Sequence, residues 1–213
     1  MAKIDRLAEL SDIQRYQADV ARIITETDPK TIQTVIDELF QAWRGRKRIF
    51  VAGNGGSALS AAHFYSDLCH IGENEKIKPP VVAVDLVSNV ARMTALTNDD
   101  GWEWTLVRQL ERQAFATGDV FCAFSVNGGS KEDGRSQNIN RALDHAIAQD
   151  GRTIGFVGNR GGYVRQVCAA SILVPRSSDP SDITPSVEGV NDVLFHLVST
   201  RLSKRIVQEY IKS

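Results

Sequence analysis

The stretch from Arg48 to Ala58 leaves this chain few architectures. Ile49-Phe50-Val51-Ala52 is a short apolar run rich in β-branched and aromatic residues, and reads as a buried strand. It breaks into Gly53-Asn54-Gly55-Gly56-Ser57-Ala58, a glycine turn that opens a helix of small residues. A strand, a tight loop and a helix start in that order place backbone N–H groups where an anion can approach them closely. The helix start adds partial positive charge, and Ser57 adds a hydroxyl. A phosphate, or a sugar bearing one, suits such a turn.

The rest of the chain repeats the alternation. Strands are predicted at 48–52, 81–85, 119–125, 153–157 and 171–174, each short and apolar on both faces, as a buried parallel sheet requires. Helices are predicted near 57–70, 88–96, 102–115, 136–149 and 161–168, with a long last helix over 186–211. The fold class is therefore α/β: a three-layer, doubly wound, parallel five-stranded sheet with ligands at the carboxyl ends of its strands. Residues 1–45 form an N-terminal helical arm. Leu7, Leu10, Ile13, Tyr16, Val20 and Ile23 recur at helical spacing, Asp28 is an N-cap, and Pro29 takes the first helical position. The arm reads equally as an assembly surface or as packing on its own domain. One domain over 1–213 is expected, with the arm followed by an α/β core at 46–213.

Composition narrows the function. A formal charge of −1 removes any global attraction to nucleic acid. No apolar run approaches the roughly 20 residues of a membrane span. Met1 to Arg6 lead into a polar amphipathic pattern rather than a signal peptide, so a cytoplasmic location is the default. Cys69, Cys122 and Cys168 are far apart and form no CxxC pair, which reads as reduced core thiols.

The first loop also fits the GxGxxA form of a dinucleotide fingerprint, which wants an acidic residue about 20 positions on at a strand end. Glu73 and Glu75 lie at that distance but in a polar loop, and Asp85 is too far along. The second loop favours the phosphate instead. Phe121-Cys122-Ala123-Phe124-Ser125-Val126-Asn127-Gly128-Gly129-Ser130 is again a strand entering a polar glycine turn, followed by Lys131 to Arg135 and by Ser136 opening a helix. Two such loops on adjacent strands can hold one phosphate between them. Asn54, Gly55, Gly56, Ser57, Ser125, Asn127, Ser130 and Ser136 are the candidate binding residues. Asp99, in the Asn98-Asp99-Asp100-Gly101 turn, is a candidate for sugar hydroxyls or a plain cap. Arg160 and Arg176, beyond strand ends, read as solvated cations.

With His63-Phe64, Arg108-Gln109, Gly118-Asp119-Val120, Gly158 to Gly162 and His196, the order of these motifs resembles the sugar isomerase (SIS) domain family, and within it the sedoheptulose 7-phosphate (phosphoheptose) isomerases. The resemblance runs over nearly the whole chain. It implies a homotetramer with active sites at subunit interfaces, a phosphate held by the serine loops, and an aldose–ketose isomerisation of a phosphorylated sugar. It also implies zinc or another divalent metal. Carried over by position, His63, Asp67, Glu188 and His196 form the metal set. Asp67 or Glu188 is the catalytic base, and His196 the acid or proton shuttle. Two imidazoles and two side-chain oxygens suit such a metal.

The chain departs from the family pattern in several places. Asp67 stands for a glutamate, Glu188 for a glutamine, and His70-Ile71 for a glycine-arginine pair. Asn127 stands for a serine, and about six extra residues precede Ser136. Geometry adds that His63 and Asp67, four apart, share a helix face. Glu188 and His196, eight apart, are separated by about 12 Å on a straight helix, with Asp192 midway as a competitor. A non-catalytic SIS protein, binding sugar phosphate or a partner as replication-initiation regulators do, is the alternative. His196 argues against it.

Overall fold

The computed structural model describes residues 6–73 and 76–212, so the expectations on Met1 to Asp5 and on Glu75 fall outside it. Two helices, α1 (Arg6–Glu26) and α2 (Pro29–Arg44), precede the first strand, β1 (Arg48–Gly53). Then follow α3 (Gly56–His70), β2 (Val82–Asp85), α4 (Val90–Asp99), α5 (Thr105–Arg112), β3 (Val120–Ser125), α6 (Gln137–Ala148), β4 (Arg152–Val157), α7 (Gly162–Val167), β5 (Ala170–Leu173) and α8 (Ile183–Lys212). The Asp28 carboxylate accepts from the Lys30 N–H at 2.9 Å and Pro29 follows it, which starts α2 where the cap chemistry requires. The predicted helix at 102–115 divides into a 3₁₀ turn, Trp102–Trp104, and α5. It stops because Ala114 takes a φ of 49°, outside the right-handed helical range.

All five strands are parallel, in the order β2-β1-β3-β4-β5. The chain builds outward from β1 to β2, then crosses back to β3, so the topological switch point lies between β1 and β3. That is where an open α/β sheet leaves a crevice at its carboxyl edge, and both glycine-serine loops emerge there. Side chains alternate across the sheet. Ile49 and Val51 enter the core layer shared with α2, α3 and α8. Phe50 and Ala52 enter the opposite layer, with Leu106 and Leu110 of α5 and Ile139 and Leu143 of α6.

One aromatic cluster positions the site. Phe124 and Phe156 are register partners on β3 and β4, stacked at 4.4 Å with planes 3° apart. Phe64 of α3 and Phe195 of α8 pack on them and on each other. Burying two faces against one aromatic floor holds α3 and α8 side by side. Contacts between them advance together along both: Gly56 beside Glu188, Ser60 bonded to Asp192 at 2.6 Å, Asp67 bonded to Ser199 at 2.7 Å. The two helices therefore run parallel. Among the described residues the three cysteines are free thiols, and no helix is long and apolar enough to cross a membrane.

Candidate functional site

At the switch point, Asn54, Ser57, Ser125, Asn127, Arg135 and Ser136 line a cavity of about 180 Å³. The first loop is set by its glycines. Gly55 has a φ of 58°, and a Cβ on Gly53 would stand 2.2 Å from the Ser57 carbonyl oxygen, so only glycine lets β1 turn directly into α3. Ser57 is buried in the first turn of α3. Asn54 exchanges two hydrogen bonds with Asn138 of α6, at 3.0 and 2.7 Å, tying the first loop to the helix after the second. In the second loop the Ser125 hydroxyl accepts from the Gly128 N–H at 3.0 Å. The Asn127 side-chain oxygen accepts from Asn159 at 3.1 Å. Ser136, with a φ of 53°, precedes α6. Serine hydroxyls, side-chain amides and a helix start converge here, the donor set an anionic oxygen needs.

Not every predicted binding residue lies in this cavity. Ser130 instead lines a neighbouring, larger one of about 510 Å³, with Lys131, Asn159, Arg160, Tyr163 and Gln166, while Asn127 and Arg135 line both. The residues after Ser130 carry the loop over its hydroxyl, which accepts from the Glu132 and Asp133 N–H groups at 3.3 Å each. Asp99 sits exposed at the end of α4, accepting from Asn98 at 2.9 Å, and is not among the residues lining either cavity. Arg135 also lines the smaller cavity; it bonds through its guanidinium to Asp133 and holds that carboxyl down to about 2.

A second centre lies between α3 and α8. His63, Asp67 and His196 offer ligand atoms that all fall within 4.8 Å of one another. His196 Nδ1 and Asp67 Oδ2 are 2.8 Å apart, and the same oxygen accepts from the Ser199 hydroxyl at 2.7 Å. The His63 and His196 rings meet edge-on at 4.7 Å. Two imidazoles and a carboxylate at this spacing fit zinc or a similar divalent ion. Glu188 stands outside the group. Helix α8 begins at Ile183, so Glu188 and His196 share one helix about two turns, or ~12 Å, apart. The Glu188 carboxylate lies instead against Gly56, at the start of α3, where a Cβ would meet its oxygen at 2.3 Å. Asp192 is likewise occupied, accepting from Ser60.

Asp67 and His196 open onto a cavity of about 400 Å³ that His70, Ser199, Thr200, Ser203 and Lys204 also line. Ser199 was readable in principle: it lies three residues after His196, on the same helix face. The Asn138 and Arg135 contacts required knowing which helix meets which loop. This cavity and the 180 Å³ cavity share no lining residue. Along α3, Ser57 and Asp67 are separated by about 15 Å.

Residues 14–158 match the SIS domain family. A phosphoheptose isomerase from Geotalea daltonii is 33% identical over 199 residues, covering 93% of this chain and 96% of the relative. One from Nitratiruptor sp. is 30% identical over 186 residues, covering 82% of this chain and 92% of the relative. The solved phosphoheptose isomerase of Francisella tularensis superposes with a TM-score of 0.78 at 20% identity, over 94% of this chain and all of that one, and so shares the fold. The chain belongs to the SIS domain family, and within it to the phosphoheptose isomerases.

Proposed function

We propose that the protein is an aldose–ketose isomerase of phosphorylated sugars of the sedoheptulose 7-phosphate class. The observation that carries this reading is the meeting of His63, Asp67 and His196, brought together from helices 129 residues apart in the chain. The same chain carries a separate, phosphate-sized cavity, and its relatives are named phosphoheptose isomerases. Isomerisation moves one proton from the carbon next to a carbonyl to the neighbouring carbon, through an enediol. Asp67, oriented by Ser199 and His196, is the base that takes and returns it. His196, its Nδ1 engaged by Asp67, carries the proton exchanged between the two substrate oxygens. His63, Asp67 and His196 would hold a zinc or similar ion, which when bound stabilises charge on the carbonyl and hydroxyl oxygens. Ser57, Ser125, Asn127 and Ser136 bind the phosphate, with Asn54, Gly55 and Gly56 shaping the turn. Glu188, against the start of α3, falls to a supporting place in this reading.

The active site is shared between subunits of a homotetramer. Within one chain the phosphate cavity and the Asp67–His196 cavity are separate, and the helix between them is longer than a short sugar phosphate spans comfortably. The face carrying the second centre also exposes apolar side chains: Leu59 is 74% exposed and Val193 48% exposed, one helical turn from His63 and His196 respectively.

Elemental analysis of the purified protein, beside His63→Ala and His196→Ala, tests the metal centre together with turnover of a panel of ketose and aldose phosphates. About one divalent ion per chain is expected, lost in both variants with a fall in kcat of at least a hundredfold. Wild-type protein that binds no ion after zinc addition, or variants that keep full turnover, would sink the assignment.

A further inference from the structure

The smaller cavity is lined by neutral donors, yet a phosphate monoester carries −1.5 to −2 charges near neutral pH. Asn54, Ser57, Ser125, Asn127 and Ser136 can bond its oxygens but cannot balance its charge, and desolvating an anion without a counter-charge is costly. The first turn of α3 supplies about half a positive charge, and the Glu188 carboxylate already lies against it. Arg135 is the one charged residue among those lining the cavity.

We propose that Arg135 is the counter-charge for the substrate phosphate, and that it reaches the anion by leaving Asp133. This rests on the reading of the smaller cavity as the phosphate site. The backbone at Arg135 is already fixed: its carbonyl accepts from the Ser130 N–H at 3.1 Å and from the Asn140 amide at 3.2 Å. Only the side chain has to move, and the adjoining 510 Å³ cavity, which the same residue lines, gives it room. Its present partner is easily exchanged. The Arg135 and Asp133 side chains are 64% and 43% exposed, and ion pairs so exposed contribute little. A dianionic phosphate presents more charge and the flat oxygen edge that a guanidinium fork matches. Asp133 is not stranded by the exchange, because its other oxygen still accepts from the Arg135 N–H at 3.1 Å.

The proposal predicts opposite effects from the two halves of the pair. Inorganic phosphate binding to the full-length protein, measured by calorimetry at fixed ionic strength, should weaken about 10- to 100-fold in Arg135→Gln, the size of a lost charged hydrogen bond. Arg135→Lys should keep part of the affinity. Asp133→Asn retains the oxygen that the Arg135 N–H needs but removes the competing charge, and should tighten binding about 3- to 10-fold. Ser57→Ala is the control for the cavity. If Ser57→Ala weakens phosphate binding while Arg135→Gln does not, the cavity stands and the role of Arg135 falls. If Asp133→Asn weakens binding as Arg135→Gln does, the pair is a structural clasp and the proposal is overturned. If wild type binds no phosphate, or Ser57→Ala binds as wild type does, the cavity is not the phosphate site and both readings fall.

Discussion

Two carboxylates held by serine hydroxyls show how the same chemistry serves structure and catalysis. Asp19 of α1 accepts from the hydroxyls of Ser177 and Ser178 at 2.7 Å each, from the Ser178 N–H at 3.0 Å, and from Arg22 at 2.8 Å. Burial alone would push its carboxyl up, but these donors overrule burial and hold it well below the usual carboxylate range. A carboxyl depressed on folding stabilises the protein above its ordinary pKa near 4 and loses that contribution as pH falls below it. Asp19→Asn should therefore cost about 2–3 kcal/mol at pH 7. The gap to wild type should shrink steadily below pH 4 in urea melts; a gap that stays constant with pH would refute the linkage. Asp67 has one serine donor and one imidazole, and is only half-buried, which leaves it open to substrate. The spacing of four puts His63 and Asp67 on one helix face, but only the resemblance to the family singled them out. Little local marked Asp19, because its serine partners lie some 160 residues away.

Between elements, the decisive contacts are backbone against backbone. A Cβ on Gly128 would stand 1.8 Å from the Gly161 carbonyl oxygen, and Gly128 has a φ of 70°. Here the loop after β3 presses on the turn after β4. The Gly128 carbonyl accepts from the Val164 N–H at 2.8 Å, and the Gly129 carbonyl from the Tyr163 N–H at 3.1 Å. The first amides of α7 are therefore spent inside the protein and not on a ligand. Gly128→Ala should destabilise the fold by about 2–4 kcal/mol, combining a forbidden φ with backbone overlap. It should also weaken phosphate binding, since Ser125 and Asn127 hang on the same turn. An unchanged thermal midpoint would show that the two loops part easily. The parallel course of α3 and α8 belongs here too. Both helices were expected from periodicity, but their pairing depends on the aromatic floor beneath them.

At the scale of the whole molecule, the cavity at the glycine-serine loops and the one beside Asp67 and His196 share no lining residue. The proposed sharing makes a strong claim about mixtures. Ser57→Ala and His196→Ala proteins are each expected to be nearly inactive. Refolded or co-expressed together, they should form hybrids with some intact sites, recovering roughly a tenth to a quarter of wild-type turnover. Hybrids no more active than the separate variants would place each active site within one chain. Sedimentation equilibrium on the same samples reads the subunit number directly.

The alternation of apolar strands with helices, the glycine turns at 53–56 and 128–129, and the Asp28-Pro29 cap were all written locally. Periodicity, φ preference and cap chemistry act over a few residues, so the strands and the loops at their carboxyl ends are legible without any long-range contact. The grouping of His63, Asp67 and His196 needed the resemblance to a family, and Glu188 of the carried-over four lies outside it. On one straight helix, Glu188 and His196 point to places two turns apart, and the parallel packing of α3 matches Gly56 to the first and Asp67 to the second. Arg135 facing the cavity, Ser199 bracing Asp67 and Asn138 clasping Asn54 depend on which helix faces which loop. Burial of Phe64, Phe124, Phe156 and Phe195 in one cluster seats α3 beside α8, and burial of Ile139 and Leu143 in the opposite layer seats α6, cooperative packing results that no short stretch of the chain encodes.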